Sequence, residues 1–235
     1  MKGIFQTDNY LICSETAAME LAQKEQAVIL AISDSHGKTE TLQFILEEFA
    51  SICDMIAFCG DGASDMILNL ELARKNRKFA KNFPAVTAIV QGNGDDNLFP
   101  VNFSHSLMPK KKADSELFIP KIISAKIAGK NILLTHGNSF GVYYGISNLE
   151  QYATQENADL VLFGHTHIAN RTDTATATFI NPGSCSLPRQ GLPPSFALIK
   201  IPGDNEKVTC TFYEIKVSLS QGILFEPFSP VMRHW

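Results

Sequence analysis

Val28 to Ile32 form an unbroken apolar run that ends, within four residues, on a carboxylate and an imidazole, Asp34 and His36, before Gly37 opens a helical pattern. A run that is apolar at every position suits a strand buried on both faces of an α/β sheet rather than a half-exposed one. Ligands of such sheets gather outside the carboxyl ends of the strands, where Asp34 and His36 fall. The same punctuation recurs at Cys59-Gly60-Asp61-Gly62, Gln91-Gly92-Asn93-Gly94-Asp95, Thr135-His136-Gly137 and Gly164-His165-Thr166-His167, each after an apolar run. Five such endings describe a site.

Chain order supports this reading. Ser14 starts a helix reaching about Glu25, with Glu15 in its first turn near the positive helix end. Strand one spans 28–33, and Leu42, Ile45, Leu46 and Phe49 mark one face of the next helix. A second strand covers Met55 to Cys59, a helix 65–80, and a third strand Ala85 to Val90. The basic residues Arg74, Lys75, Arg77 and Lys78 suit the negative end of that helix. Periodicity fades over 96–120, which reads as a solvent-facing connection. Ile122–Ile127 and Asn131–Leu134 form a hairpin, 145–156 a helix and Leu160–Phe163 a further strand; runs at 174–180, 195–201 and 207–217 predict antiparallel strands. Residues 218–235 carry no pattern that places them, and residues 1–13 suit a short arm or strand.

A chain of 235 residues buries roughly 70% of its unfolded surface, enough for one large core. Without a Pro/Gly/Ser linker between 27 and 217, the expectation is one domain over 1–235, with an N-terminal extension 1–27 and a C-terminal tail 218–235. The net charge of −4 argues against a strongly basic nucleic-acid surface but permits a small phosphate ester, because bound cations reverse the local field. Lys110-Lys111-Lys112 is the one dense basic run, and Asp114 and Glu116 beside it leave little backbone reach for nucleic acid beyond nucleotide-sized substrates. Five cysteines without a C-x-x-C pair suit reduced thiols in the cytoplasm. No apolar segment approaches the ~18 residues of a membrane span, and the acidic N-terminus is poor signal-peptide chemistry.

The candidate site residues are therefore Asp34, His36, Asp61, Asn93, His136, His165 and His167. Mixed nitrogen and oxygen donors favour Mn, Fe, Zn, Ni or Co over calcium. Seven ligands exceed one tetrahedral zinc, whereas two ions sharing a carboxylate use them all. His105 reads as a loop residue and His234 as a terminal one.

The ordered motifs D-x-H (Asp34, His36), G-D (Asp61), G-N-x-D (Asn93, Asp95), T-H-G (His136) and G-H-T-H (His165, His167) resemble the calcineurin-like metallophosphoesterases. Asn181-Pro182-Gly183-Ser184 is similar to the N-P-G-S of that family's small, single-domain phosphodiesterase branch, and the likeness spans about 28–215. The resemblance implies a four-layer α/β/β/α sandwich of two stacked mixed sheets. It implies two divalent ions, manganese foremost with Ni, Co, Fe, Zn or Mg as alternatives. Asp34, His36 and His167 would hold the first, Asn93, His136 and His165 the second, and Asp61 would bridge them. Cations ~3.5–4 Å apart make hydroxide a strong nucleophile at neutral pH and offset charge on the phosphoryl oxygens. The implied reaction is hydrolysis of a phosphodiester or a small phosphomonoester. A binding scaffold of the same fold and a weak nuclease are the alternatives. Many relatives carry histidine after the asparagine; here Gly94 offers neither a proton nor a side-chain phosphate contact, and Asp95 reads as support for a neighbouring ligand or turn. The N-P-G-S loop is expected to floor the site. Phe140, Tyr143 and Tyr144 are candidates for a cleft wall, and Phe225, Phe228, Val231 and Trp235 for a homo-oligomer contact.

Overall fold

The computed structural model describes residues 5–101, 115–203, 206–218, 220 and 222–230. The basic run 110–112, Asp114, His105, Val231, His234 and Trp235 lie outside the described residues. In chain order the elements are α1 (Glu15–Gln23), β1 (Ala27–Ile32), α2 (Thr39–Phe49), β2 (Met55–Phe58), α3 (Ala63–Lys75), α4 (Arg77–Ala80) and β3 (Val86–Ile89). There follow β4 (Leu98–Val101), β5 (Ser115–Phe118), β6 (Ile122–Ile127), β7 (Lys130–Thr135), α5 (Ser147–Gln155) and β8 (Leu160–Leu162). The last are β9 (Asn170–Asp173), β10 (Thr178–Asn181), β11 (Ser195–Ile201), β12 (Thr209–Ser218) and β13 (Gly222–Phe228).

Two mixed sheets result. The first has the order β13-β12-β11-β1-β2-β3, and the second β6-β7-β8-β10-β9. β1 is central: it pairs in parallel with β2, which needs the helical crossover α2, and antiparallel with β11. Alternate residues of β1 serve different layers, which is why the whole run is apolar. Ile29 and Ala31 join Ile123, Ile132, Leu134, Leu160 and Leu162 of the second sheet in one core. Leu30 and Ile32 pack with Leu42, Leu46, Met66 and Ile67 of α2 and α3 in another. A third cluster sets Leu149 and Ala153 of α5 on Leu133, Val161 and Phe179, the outer face of the second sheet. Helix, sheet, sheet and helix are thus stacked, as the resemblance implies.

Facing the second sheet, Ala197, Ala31, Ala57 and Ala88 stand in register across β11, β1, β2 and β3. Four methyl groups in a row, all fully buried, are the least bulk that side chains can put between two sheets, whose usual spacing is about 10 Å.

Several boundaries differ from the sequence reading. The predicted helix 65–80 is two, because Asn76 leaves the helical conformation and its side chain caps Lys78 and Phe79. The run 174–180 is not one strand: Thr174 to Ala177 turn, with the Thr174 N–H donating to the Ala177 carbonyl at 3.0 Å. Strand β10 then pairs antiparallel with β9 and in parallel with β8. Within 96–120 lies an antiparallel ribbon, β4–β5, that buries Val101 and Leu117. The tail adds β13, antiparallel to β12 over Phe212 to Ser218. The N-terminal arm forms bridges from Gln6 to Ile12 and from Ile12 to Thr87. All five cysteines are free thiols, and four are buried. No helix among the described residues is long and apolar enough to cross a membrane.

Candidate metal centre

Register brings strand ends from both sheets to one edge. Ile32 lies opposite Phe58, so the Asp34 N–H donates to the Gly60 carbonyl at 2.9 Å. In the second sheet Leu134 lies opposite Leu162, and the Gly164 N–H donates to the His136 carbonyl at 3.1 Å. Two bonds then cross between the sheets: His136 Nδ1 to the Cys59 carbonyl at 2.7 Å, and the His165 N–H to Asp34 Oδ2 at 3.2 Å. Gly164 permits that approach, since a Cβ there would stand 2.8 Å from Asp34 Oδ2 and 2.0 Å from Ser33 Oγ.

The backbone bends sharply at these ends. Asp34, His36, Asp61, His165 and His167 all have positive φ, between 44° and 68°. Left-handed conformations are uncommon outside glycine and cost on the order of 1 kcal/mol each. Five of them at one site indicate that surrounding structure holds the side chains where they point.

Asp34, His36 and His167 form one group able to hold a metal ion, and Asp34, Asp61 and His136 a second, with each group's ligand atoms within 4.8 Å of one another. His167 Nε2 is 3.2 Å from Asp34 Oδ1, and His36 Nε2 is 3.8 Å from it. Asp61 Oδ2 lies between His36 and His136, at 3.9 and 3.5 Å from their Nε2 atoms. His165 belongs to neither group and stands beside the second, its ring centroid 5.0 Å from that of His136. Asn93 is exposed on the same loop as Gly94, whose N–H donates to Asp61 Oδ1 at 2.8 Å.

Tautomers follow from the partners. A carbonyl only accepts, so His136 donates from Nδ1 to Cys59, and His167 donates from Nδ1 to the Leu187 carbonyl at 2.6 Å. Each neutral ring then aims an Nε2 lone pair into the site, the arrangement by which outer hydrogen bonds orient metal-binding imidazoles. The buried atoms Asp34 Oδ1 and His136 Nε2 have no hydrogen-bond partner, and His36 Nε2 is 3.1 Å from His167 Nε2. Two lone pairs that close repel unless a proton or a cation lies between them. The donor set therefore fits divalent ions.

The same carboxylates raise the affinity of these rings for a proton or a cation. Burial works against ionised Asp61, but His136 and the Gly94 N–H outweigh it and hold the carboxyl at about 2. Burial likewise opposes protonation of His136 and His167, yet neighbouring Asp61 and Asp34 raise the first and Asp34 the second. His165 is lowered, by burial and then by the nearby His136.

Supporting groups surround the ligand candidates, and of these Asp65 escaped the sequence reading. Asp65 on α3 is buried and accepts from Ser35 Oγ at 2.6 Å, the Gly37 N–H at 2.9 Å and Thr39 Oγ1 at 2.6 Å, fixing the loop that carries His36. Asp95 accepts the N–H groups of Asp61, Gly62, Ala63 and Gly92, all between 2.8 and 2.9 Å. In the N-P-G-S loop Asn181 Nδ2 donates to the Gly164 carbonyl at 2.8 Å, and Ser184 Oγ donates to that of Asp34 at 2.7 Å. That loop floors the site. Of the three aromatics, Tyr143 sets its ring edge-on to His165 at 4.7 Å, Phe140 packs on Tyr152, and Tyr144 is exposed. A backbone carbonyl such as that of Leu187 has no sequence signature, and Asp65 lies 26 to 30 residues from the groups it holds.

Residues 28–204 match the family model of the calcineurin-like phosphoesterase superfamily domain. The probable metallophosphoesterase YsnB of Bacillus subtilis (strain 168) is 30% identical over 188 residues, 79% of this chain and 90% of that protein. Among solved structures, vacuolar protein sorting 29 of Cryptosporidium parvum aligns with a TM-score of 0.58 at 21% identity, covering 87% of this chain and 98% of that one. A novel archaeal phosphodiesterase aligns with a TM-score of 0.52 at 21% identity, covering 79% and 99%. The last two establish the fold alone, and the family rests on the first two: the chain belongs to the calcineurin-like phosphoesterase superfamily.

Proposed function

We propose that this protein is a two-metal phosphoesterase that hydrolyses phosphodiesters in preference to phosphomonoesters, in the cytoplasm, as one domain over 1–235. The observation that carries the reading is the pair of orphaned buried ligand atoms, Asp34 Oδ1 and His136 Nε2, each inside a group whose ligand atoms lie within 4.8 Å of one another. Asp34, His36 and His167 would hold one ion, Asn93, His136 and His165 the other. Asp61 would bridge them, since its Oδ2 faces a histidine of each set. Asp34 is the residue common to the two compact groups, so its free oxygen also looks toward both positions. Divalent ions there, manganese foremost, would make water nucleophilic at neutral pH and offset phosphoryl charge.

The chain's own residues do the positioning. The Leu187 and Cys59 carbonyls hold the His167 and His136 rings by Nδ1, which turns Nε2 toward the site. The Gly94 N–H occupies Asp61 Oδ1, which leaves Oδ2 for the ions. Gly94 supplies no acid, so esters with good leaving groups are favoured, and diesters, with one negative charge fewer, need fewer cationic side chains.

Metal-stripped protein given Mn²⁺, Ni²⁺, Co²⁺, Zn²⁺ or Mg²⁺ in turn should hydrolyse a nitrophenyl phosphodiester. Asp61→Ala should lose most turnover and bound metal together, because both ions lose a ligand. Absence of turnover with every ion would overturn the enzyme and leave a binding scaffold of this fold as the reading.

A further inference from the structure

Arg189 follows the N-P-G-S loop, and three contacts tie it to the ligand set. Its N–H donates to the His167 carbonyl at 3.1 Å, which anchors the backbone at the rim. Its Nη1 donates to the Tyr143 hydroxyl, and its Cζ lies 5.3 Å from the Tyr143 ring centroid. The Tyr143 ring in turn stands 4.7 Å from that of His165, at 72°. An exposed arginine normally wanders or pairs with a carboxylate. Among the described residues no carboxylate pairs with Arg189, and what holds it is a neutral phenol. The guanidinium therefore keeps its full charge and most of its five donors, steered to the His165 side of the site. On the loop after β3, Gly94 presents no side chain at all.

Building on the phosphoesterase reading, we infer that Arg189, steered by Tyr143, is the side chain that binds the non-bridging oxygens of the substrate's phosphoryl group. Guanidinium offers parallel N–H groups that match two phosphate oxygens, which lysine as a point charge does not. A side chain already held near its bound position loses less freedom when substrate arrives. The contact is made to an anion in the ground state as well as the transition state, so its loss should raise KM more than it lowers kcat.

Four manganese-loaded proteins test this: wild type, Arg189→Gln, Arg189→Lys and Tyr143→Phe. Each is measured for KM and kcat on bis(4-nitrophenyl) phosphate, for inorganic phosphate affinity by calorimetry, and for metal content. Arg189→Gln should raise KM and weaken phosphate binding by roughly tenfold, with bound manganese as in wild type. Arg189→Lys should recover part of the loss, and Tyr143→Phe should move both constants the same way by less. Wild-type turnover with an Arg189→Gln variant inside twofold on both constants would overturn the assignment. So would equal loss of manganese from the Gln and Lys variants, which would make the residue a loop brace. Failure of wild type to turn over condemns the phosphoesterase reading instead, while the phosphate calorimetry still decides the role of Arg189.

Discussion

Gly94 sits beside the proposed bridging carboxylate with no side chain to offer, and its surroundings say what one would meet. A Cβ there would stand 3.4 Å from Asp61 Oδ1, an ordinary contact, and the Gly94 N–H bond to that oxygen survives any residue but proline. Gly92, two positions earlier, is different: its Cβ would fall 2.1 Å from the same oxygen. Histidine is thus admissible at 94 and excluded at 92. General-acid help is worth about 10²–10⁴ in rate, and an alkoxide leaving group needs it more than a nitrophenolate does. Wild type should give a ratio of kcat/KM for a nitrophenyl diester over the matching monoester above one, and Gly94→His should move that ratio toward the monoester. Both substrates on both proteins at fixed Mn²⁺ settle it, and a wild-type preference for the monoester would sink the argument. The ligand candidates were legible because each punctuates an apolar run. Arg189 was not, since its meaning depends on a ring 46 residues away.

Among the elements, the strands that build the site read clearly: β1, β2 and β8 are apolar at every position, and in β7 the run Ile132 to Leu134 leads into Thr135 and His136. What tells the sheets how closely to pack did not. Ala31, Ala57, Ala88 and Ala197 look unremarkable one at a time and acquire significance only once register aligns them. The ribbon β4–β5 and the edge strand β13 were illegible for a related reason. Their burial alternates weakly, exposed or half-exposed at most positions, so a period-2 signal barely rises above loop composition. The alanine row lies two residues before Ser33, Cys59 and Val90, and hence just below the cross-sheet bonds from His136 and His165. Ala57→Leu should overpack it, costing about 1–3 kcal/mol in denaturant unfolding. It should also lower manganese content at the centre by prising Cys59 from the His136 ring. A variant of full stability and full metal content would mean that the row has slack the packing does not suggest.

For the whole molecule, the charges at the centre make stability depend on pH, with opposite sign in the metal-free and loaded forms. Without metal, His136 and His167 titrate above the ordinary histidine value of about 6.5 in the folded state, and His165 below it. A raised group binds its proton more tightly folded than unfolded; its contribution is whole below about pH 6.5 and lost as pH rises through the folded value. His165 acts oppositely, but two groups against one, both better buried, leave the folded state holding more protons near neutrality. Metal-free Tm should therefore fall between about pH 6 and about pH 8. Asp61, held at about 2, works at the other extreme: its contribution is present above about pH 4 and disappears as pH drops through 2. Loading reverses the neutral-range slope, because imidazole must shed its proton to bind a cation, so affinity and the stabilisation it brings grow with pH. Calorimetric melts of stripped and manganese-loaded protein across that range should cross in slope, the loaded Tm rising where the stripped Tm falls. Parallel slopes would mean that the raised histidines are not the groups the ions displace protons from, and His136 and His167 would lose their place as ligands.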